Sequence, residues 1–426
     1  MKINTIEYSN INEKIHVYEH ESGLKAFVVP KKGYSEKHAT YATNYGSVNS
    51  EFVIPGDKNL TCVPDGIAHF LEHKLFDQED GSVMDKFSKL GASPNAYTGF
   101  NQTVYLFSCT DNFYENFDLL LNFVQSPFLT DESVEKEKGI IGQEIRMYQD
   151  NPGWRVYFNL LDAFYKNNPV KIDIAGTIDS ISSINKEVLY KCYNTFYHPS
   201  NMIVLVVGDV EPEKIFEQVS KNIKTRESKG EIKRIFPDEP DKINKDYIEQ
   251  SMSVSTPLFQ MGFLDKAGFT GRDLIMRDAA VTILLDMIMG RSSELYDRLY
   301  NEGLINSSFD FDYSIEESYA HSVFGGESTD AIRVKQEIIE EINRLKSKGL
   351  DNSAFERIKR AKLGRFLRQL NSVQGISHSF ISVYFKKVYV FDYAQIYDKI
   401  TFEYIKKVFD EHFTMDNLAL SIVKPV

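Results

Sequence analysis

The chain has 426 residues, 42% of them hydrophobic and 26% charged, and a formal net charge of −12. That length holds two or three domains with cores of their own, and the acidic balance excludes a nucleic-acid binder, which needs a positive face toward phosphates, and docking on anionic membranes. No stretch approaches the roughly 18 consecutive apolar residues that span a bilayer, the first residues lack a signal-peptide h-region, and Cys62, Cys109 and Cys192 form no C-x-x-C pair, so a cytoplasmic location is expected.

Taken along the chain, KAFVVP (25–30) and ATYATNYGS (39–47) read as strands. A helix follows from Gly66 to Phe76, with Pro64-Asp65 at its start and Asp65 as the candidate N-cap. TVYLFSCT (103–110) is a further strand, helices run near 113–124, 131–149 and 153–166, and the strand MIVLVVG (202–208) closes the first half. Residues 221–247 are rich in Lys, Glu and Asp with two prolines and read as a connector. This places one domain at 1–222, a linker at 223–247 and a second domain at 248–426. The second half opens with a strand near Leu258–Leu264, followed by helices near 271–289, 330–348 and 353–370. YNTFYHPSNMIVLVVG (193–208) and FDEHFTMDNLALSIVK (409–424) share a pattern of helix end, polar turn and buried strand, with Asn201 and Asn417 in the same place. The expected fold is α+β: two homologous domains, each an antiparallel sheet covered by helices on one face.

The chemistry is concentrated in VPDGIAHFLEHKLF (63–76). His69 and His73 lie four apart, about one helical turn, and project from one face. Two imidazoles so placed converge on a single metal ion. Glu72 is within reach of a water on that metal without being a ligand. Imidazole donors with no thiolate point to a catalytic zinc rather than a structural one, with Glu72 as the general base. A catalytic zinc needs a third protein ligand, and the best candidates lie in DESVEKEKGIIGQEIRMYQDNP (131–152). There Glu137 and Glu144, seven apart, share a helix face beside an apolar stripe of Val134, Ile141, Ile145 and Tyr148. The remaining histidines have no ligand spacing.

An H-x-x-E-H motif followed by two glutamates seven apart on a helix resembles the pitrilysin/insulinase family, the inverzincins. GASPNAYTGFNQTVYLF (91–107) is similar to the family's N-A-x-T…T-x-Y pattern, and the likeness runs on through YHPSNM to Gly208. More narrowly, the chain looks like the half-size, zinc-bearing subunit found in many Gram-positive bacteria. The resemblance implies that His69, His73 and Glu144 ligate one zinc per chain, that Glu72 is the base, and that Glu137 is a second carboxylate in the catalytic machinery, orienting a ligand histidine. It also implies that Asn95 and Ala96 lie on an exposed edge strand, where a substrate peptide adds through main-chain hydrogen bonds. Half-size members work as dimers whose clam-like halves enclose a chamber.

The chain departs from the family pattern at one place. The family's Arg, with a Tyr about seven residues on, falls in SSELYDRLYNEGLINSS (292–308). There Tyr300 follows Leu299 where Arg is expected, Asn306 stands near the Tyr position, and Arg298 is out of register. A homologous partner subunit is therefore expected to supply the pair, making a heterodimer in preference to a homodimer. The expected function is a zinc endopeptidase acting on short or unfolded peptides. The alternatives are a non-catalytic assembly subunit of a larger complex and a peptidase dedicated to one precursor.

Overall fold

The apolar run Met202–Gly208 becomes a central strand of the larger sheet, and all seven of its residues are buried. In the computed structural model, which describes residues 2–227 and 230–426, the chain gathers into two units, neither of which is a contiguous block. The first takes the described residues up to Ile145, then Asp173–Phe236 and Gln369–Phe385. The second takes Arg146–Ile172, Pro237–Arg368 and Lys386–Val426. Among the described residues no helix is long and apolar enough to cross a membrane.

The first unit contains β1 (Ile3–Tyr8), β2 (Glu13–Glu19), β3 (Lys25–Pro30), β4 (Lys37–Thr43), β5 (Glu51–Val53), β6 (Leu60–Cys62), β7 (Asp77–Gln78), β8 (Gly81–Ser82), β9 (Ser93–Thr98), β10 (Thr103–Cys109), β11 (Met202–Gly208) and β12 (Lys233–Arg234). Seven of them form one sheet in the order β1-β2-β3-β11-β4-β10-β9, antiparallel except for β3 with β11. β12, inside the stretch read as a linker, pairs with β5 in a small sheet. Because β11 and β4 are apolar on both faces, the sheet must be covered on both. The helix Phe113–Val124 covers one face of β4 and β10. The helix Val373–Tyr384 covers the other, with Thr40 Oγ1 2.7 Å from Ser377 Oγ and the Phe27 and Phe380 rings 5.0 Å apart. The expectation of helices on one face only is corrected accordingly.

The second unit contains β13 (Tyr247–Met252), β14 (Leu258–Phe263), β15 (Asp310–Ile315), β16 (Ala320–Glu327) and β17 (Leu418–Pro425), in the order β13-β17-β14-β16-β15 with only β13 and β17 parallel. This repeats the order and sense of β3-β11-β4-β10-β9. A shift of 216 positions carries helix Lys186–Phe196 onto Phe402–His412, and the start of β11 onto the start of β17. The fold is therefore a mixed α/β duplication. The helix Pro152–Phe164, which lies within the first half in sequence, packs on β13, β14 and β17 of the second unit.

The second unit also buries a charged cluster. Arg277 donates two hydrogen bonds to Asp265, at 3.0 and 2.6 Å, and a third to Glu411. Tyr313 donates to Asp265, and His412 Nδ1 lies 3.2 Å from the same carboxylate. His412 Nε2 is 2.9 Å from Ser322 Oγ, so Ser322, His412 and Asp265 have the spacing of a nucleophile, base and acid. All three side chains are buried in the core, where no substrate reaches, and the Arg277 bonds mark Asp265 as structural.

Candidate metal centre

The motif helix runs from Ile67 to Phe76 and is buried almost all round, with His69, Glu72 and Lys74 among its buried residues. Polar groups in a core helix are costly unless they are used. Asp65 is not its N-cap. That position falls to Gly66, whose φ of 87° is left-handed and whose missing Cβ would stand 2.3 Å from the Ala175 carbonyl oxygen. Only glycine fits both the backbone angle and the space. Ser180 Oγ donates to the Asp65 carbonyl at 2.9 Å, so the start of the helix is clamped against the 175–180 turn.

The second element is the helix Asp131–Gln149. Val134, Ile141 and Ile145 bury its apolar stripe, and Glu137 goes in with them. Glu144, two turns on, follows the same face toward the histidines. His69 Nε2 lies 3.7 Å from Glu144 Oε1, and His73 Nε2 lies 3.6 Å from Glu144 Oε2. One ligand atom from each of the three lies within 4.8 Å of the others. These separations are too long for hydrogen bonds. They approach the roughly 3.4 Å between neighbouring donors on a tetrahedral ion with bonds of about 2.0–2.1 Å.

The two histidines are shifted in opposite directions. Burial, with His73 beside it, pushes His69 down to about 4, so its imidazole is neutral and a lone pair is available. Burial also disfavours charge on His73, but the Glu137 hydrogen bond and the surrounding carboxylates outweigh it and raise its pKa. His73 Nδ1 and Glu137 Oε1 are 3.0 Å apart. A carboxylate only accepts, so Nδ1 carries a proton and Nε2 faces Glu144; the raised pKa favours a second proton on Nε2, which a bound metal would displace. His69 Nδ1 is buried without a hydrogen-bond partner. Two imidazoles and one carboxylate, with no thiolate, fit a catalytic zinc site. The Glu137→Ala chain is expected to bind zinc roughly 10–100-fold more weakly, measured by competition with a chromogenic chelator; an unchanged affinity removes Glu137 from the centre.

Glu72 is outside this donor group. Burial raises its pKa, against the pull of His73 and of Thr98, whose hydroxyl donates to Glu72 Oε2 at 3.0 Å. A carboxylate raised toward neutral pH is a better base. Beneath it the Tyr105 and Tyr197 hydroxyls meet at 2.8 Å, and burial, helped by the Glu72 charge, keeps both protonated.

Asn95 and Ala96 lie on β9, the sheet's outermost strand. The Gly99 N–H bonds to the Gln102 carbonyl within the β9–β10 hairpin, so odd-numbered residues of β9 turn their main-chain groups toward β10. Even-numbered ones, Pro94, Ala96 and Thr98, turn them outward. Pro94 has no N–H to leave bare at such an edge. The outward Ala96 N–H is met at 2.9 Å by the side chain of Asn95 itself. Thr98 is a residue the N-A-x-T pattern leaves without a role; the signal for it is the alternation of β9, which puts it with Ala96 on the face toward the motif helix. In the second unit, Arg298 is paired to Glu337 at 2.9 Å, Tyr300 is exposed and stacked on Tyr296, and Asn306 bonds to Glu327 and Ser308.

Comparison with known proteins gives a consistent result. Residues 63–178 match the family model for insulinase (peptidase family M16), and residues 183–362 match the model for the peptidase M16 inactive domain. YmfH, an uncharacterized zinc protease of Bacillus subtilis, is 41% identical over 99% of both chains. A solved structure from Alicyclobacillus acidocaldarius, described as an M16-like peptidase, superposes with a TM-score of 0.94 at 35% identity, covering 99% of this chain and 100% of that one. Pitrilysin superposes with a TM-score of 0.77 at 16% identity, over 99% of this chain and 46% of its own, a likeness of fold.

Proposed function

Because this chain belongs to peptidase family M16, the insulinase family, we propose that it is a zinc endopeptidase cleaving short or unfolded peptides, working as the catalytic half of a heterodimer. The observation that carries this reading is the meeting of His69, His73 and Glu144 from two distant segments. These three residues would hold one zinc. When bound, zinc supplies a Lewis acid and brings a water's pKa to about 7. Glu137 keeps the His73 tautomer. Glu72, its Oε2 held by Thr98, takes a proton from the attacking water and passes it to the leaving amine. The outward main chain at Ala96 pairs with the substrate backbone, which is tolerant of side-chain sequence and selects flexible peptides.

The partner reading rests on the absence of an in-register Arg/Tyr pair at 292–308 and on the span of 46% of pitrilysin. A scaffold subunit is the weaker reading, since burying His69, Glu72 and Glu137 together has an energetic cost that assembly alone does not require. Exposed Cys62 is a free thiol, in keeping with a reducing cytoplasm.

The test is metal analysis of the purified chain, with peptide cleavage assayed alone, after chelation, and with a homologous subunit. The expected result is one zinc per chain, activity lost on chelation and restored by zinc, and low turnover until the partner is added. Absence of metal favours the scaffold, and full activity alone removes the heterodimer.

A further inference from the structure

The N-A-x-T and T-x-Y segments hold two threonines that are neither among the metal-centre donors nor the base. Thr98 is on β9 and Thr103 opposite it on β10. Thr103 Oγ1 lies 2.9 Å from the Tyr45 carbonyl, which can only accept, so its proton goes there. The Thr98 hydroxyl then chooses between Thr103 Oγ1 at 3.5 Å and the Glu72 carboxylate at 3.0 Å. The carboxylate is nearer and charged, so it takes the bond. Thr98 is thereby fixed as a donor to Glu72. The same residue turns its own N–H and C=O outward from the sheet edge, in line with Ala96. Its β-branched side chain is stiff at χ1, so the hydroxyl position follows the backbone closely.

We propose that Thr98 is a positioning residue that couples peptide seating on β9 to the placement of Glu72: a strand paired along Pro94–Thr98 fixes the Thr98 backbone, and through the hydroxyl fixes the carboxylate. This rests on the peptidase reading above and predicts that substrate length raises kcat and not only affinity. Thr98 is not among the three donors of the metal centre.

The test compares Thr98→Val, which keeps the shape and removes the donor, with Thr98→Ser, which keeps the donor. Each is assayed on a peptide long enough to pair along β9 and on a truncated one that is not, using whatever assembly gives the wild type its activity. On the long peptide T98V is expected to lose about tenfold in kcat with KM and zinc content unchanged, T98S recovers most of the loss, and on the short peptide the loss in T98V is clearly smaller than on the long one. An equal loss on both peptides, or none on either, overturns the coupling. If the wild type cleaves neither peptide, the peptidase reading has failed. Crystal structures then decide the link: Glu72 Oε2 is expected to leave its Thr98-bound position in T98V and keep it in T98S, and an unmoved carboxylate in T98V overturns it.

Discussion

The Glu72→Gln chain is expected to retain its zinc and lose turnover by roughly 10²–10⁴-fold, the range for removing a positioned general base. The amide occupies the same space, and its oxygen still accepts from Thr98, so the packing around the motif helix is kept. What is lost is a group that can take a proton from water. Glu72 is not among the three donors that lie within 4.8 Å of one another, so metal content measured beside kcat/KM separates base from ligand. Metal lost together with activity makes Glu72 a ligand. Metal retained with turnover unchanged rules out a base role.

The second large effect is on stability. Asp265 is buried and would be raised by that burial, but His412 and Arg277 more than offset it and hold its pKa well below the ordinary value of 3.8. Replacing Asp265 by Asn leaves Arg277, itself 2% exposed, short of its main partner. Breaking a buried pair from one side costs about 3–5 kcal/mol. At pH 7 the denaturant midpoint of the D265N chain is expected to fall accordingly. The pH dependence follows from the sign of the shift. A carboxylate depressed in the folded state contributes stability above its unfolded pKa, and that stability is lost as pH falls through about 4 toward the folded value. The gap between wild type and D265N therefore narrows below about pH 4. A difference under about 1 kcal/mol at pH 7, or one that widens in acid, contradicts the assignment.

The legible parts of the molecule are those set by short-range geometry. His69, Glu72 and His73 share one helix, and a spacing of four fixes their common face wherever that helix lies. The helices Phe113–Val124 and Asp131–Gln149 are legible from their apolar stripes, and Gly271–Met289 from a long apolar stretch that is buried on nearly every side. β1 and β2 are not legible from the sequence, since charges such as Glu13, Lys14 and Glu19 dilute the alternation. Asp65 was a reasonable cap by residue type, but a close approach from Ala175, more than a hundred positions away, gave the cap to Gly66.

By itself, the sequence determined the chemistry on offer: a helical histidine pair, a neighbouring base, two glutamates on one face of a later helix, and a duplicated order of elements. Helix periodicity leaves Glu137 and Glu144 equivalent, and only the family resemblance tells them apart in sequence; the tertiary structure places Glu144 beside both Nε2 atoms and Glu137 against His73 Nδ1. It also decided that the helix Pro152–Phe164 belongs with β13, β14 and β17, and that Thr98 reaches Glu72. Local periodicity specifies the face a side chain occupies; what lies across that face depends on sheet order and register, which arise from burying every apolar face of the whole chain at once.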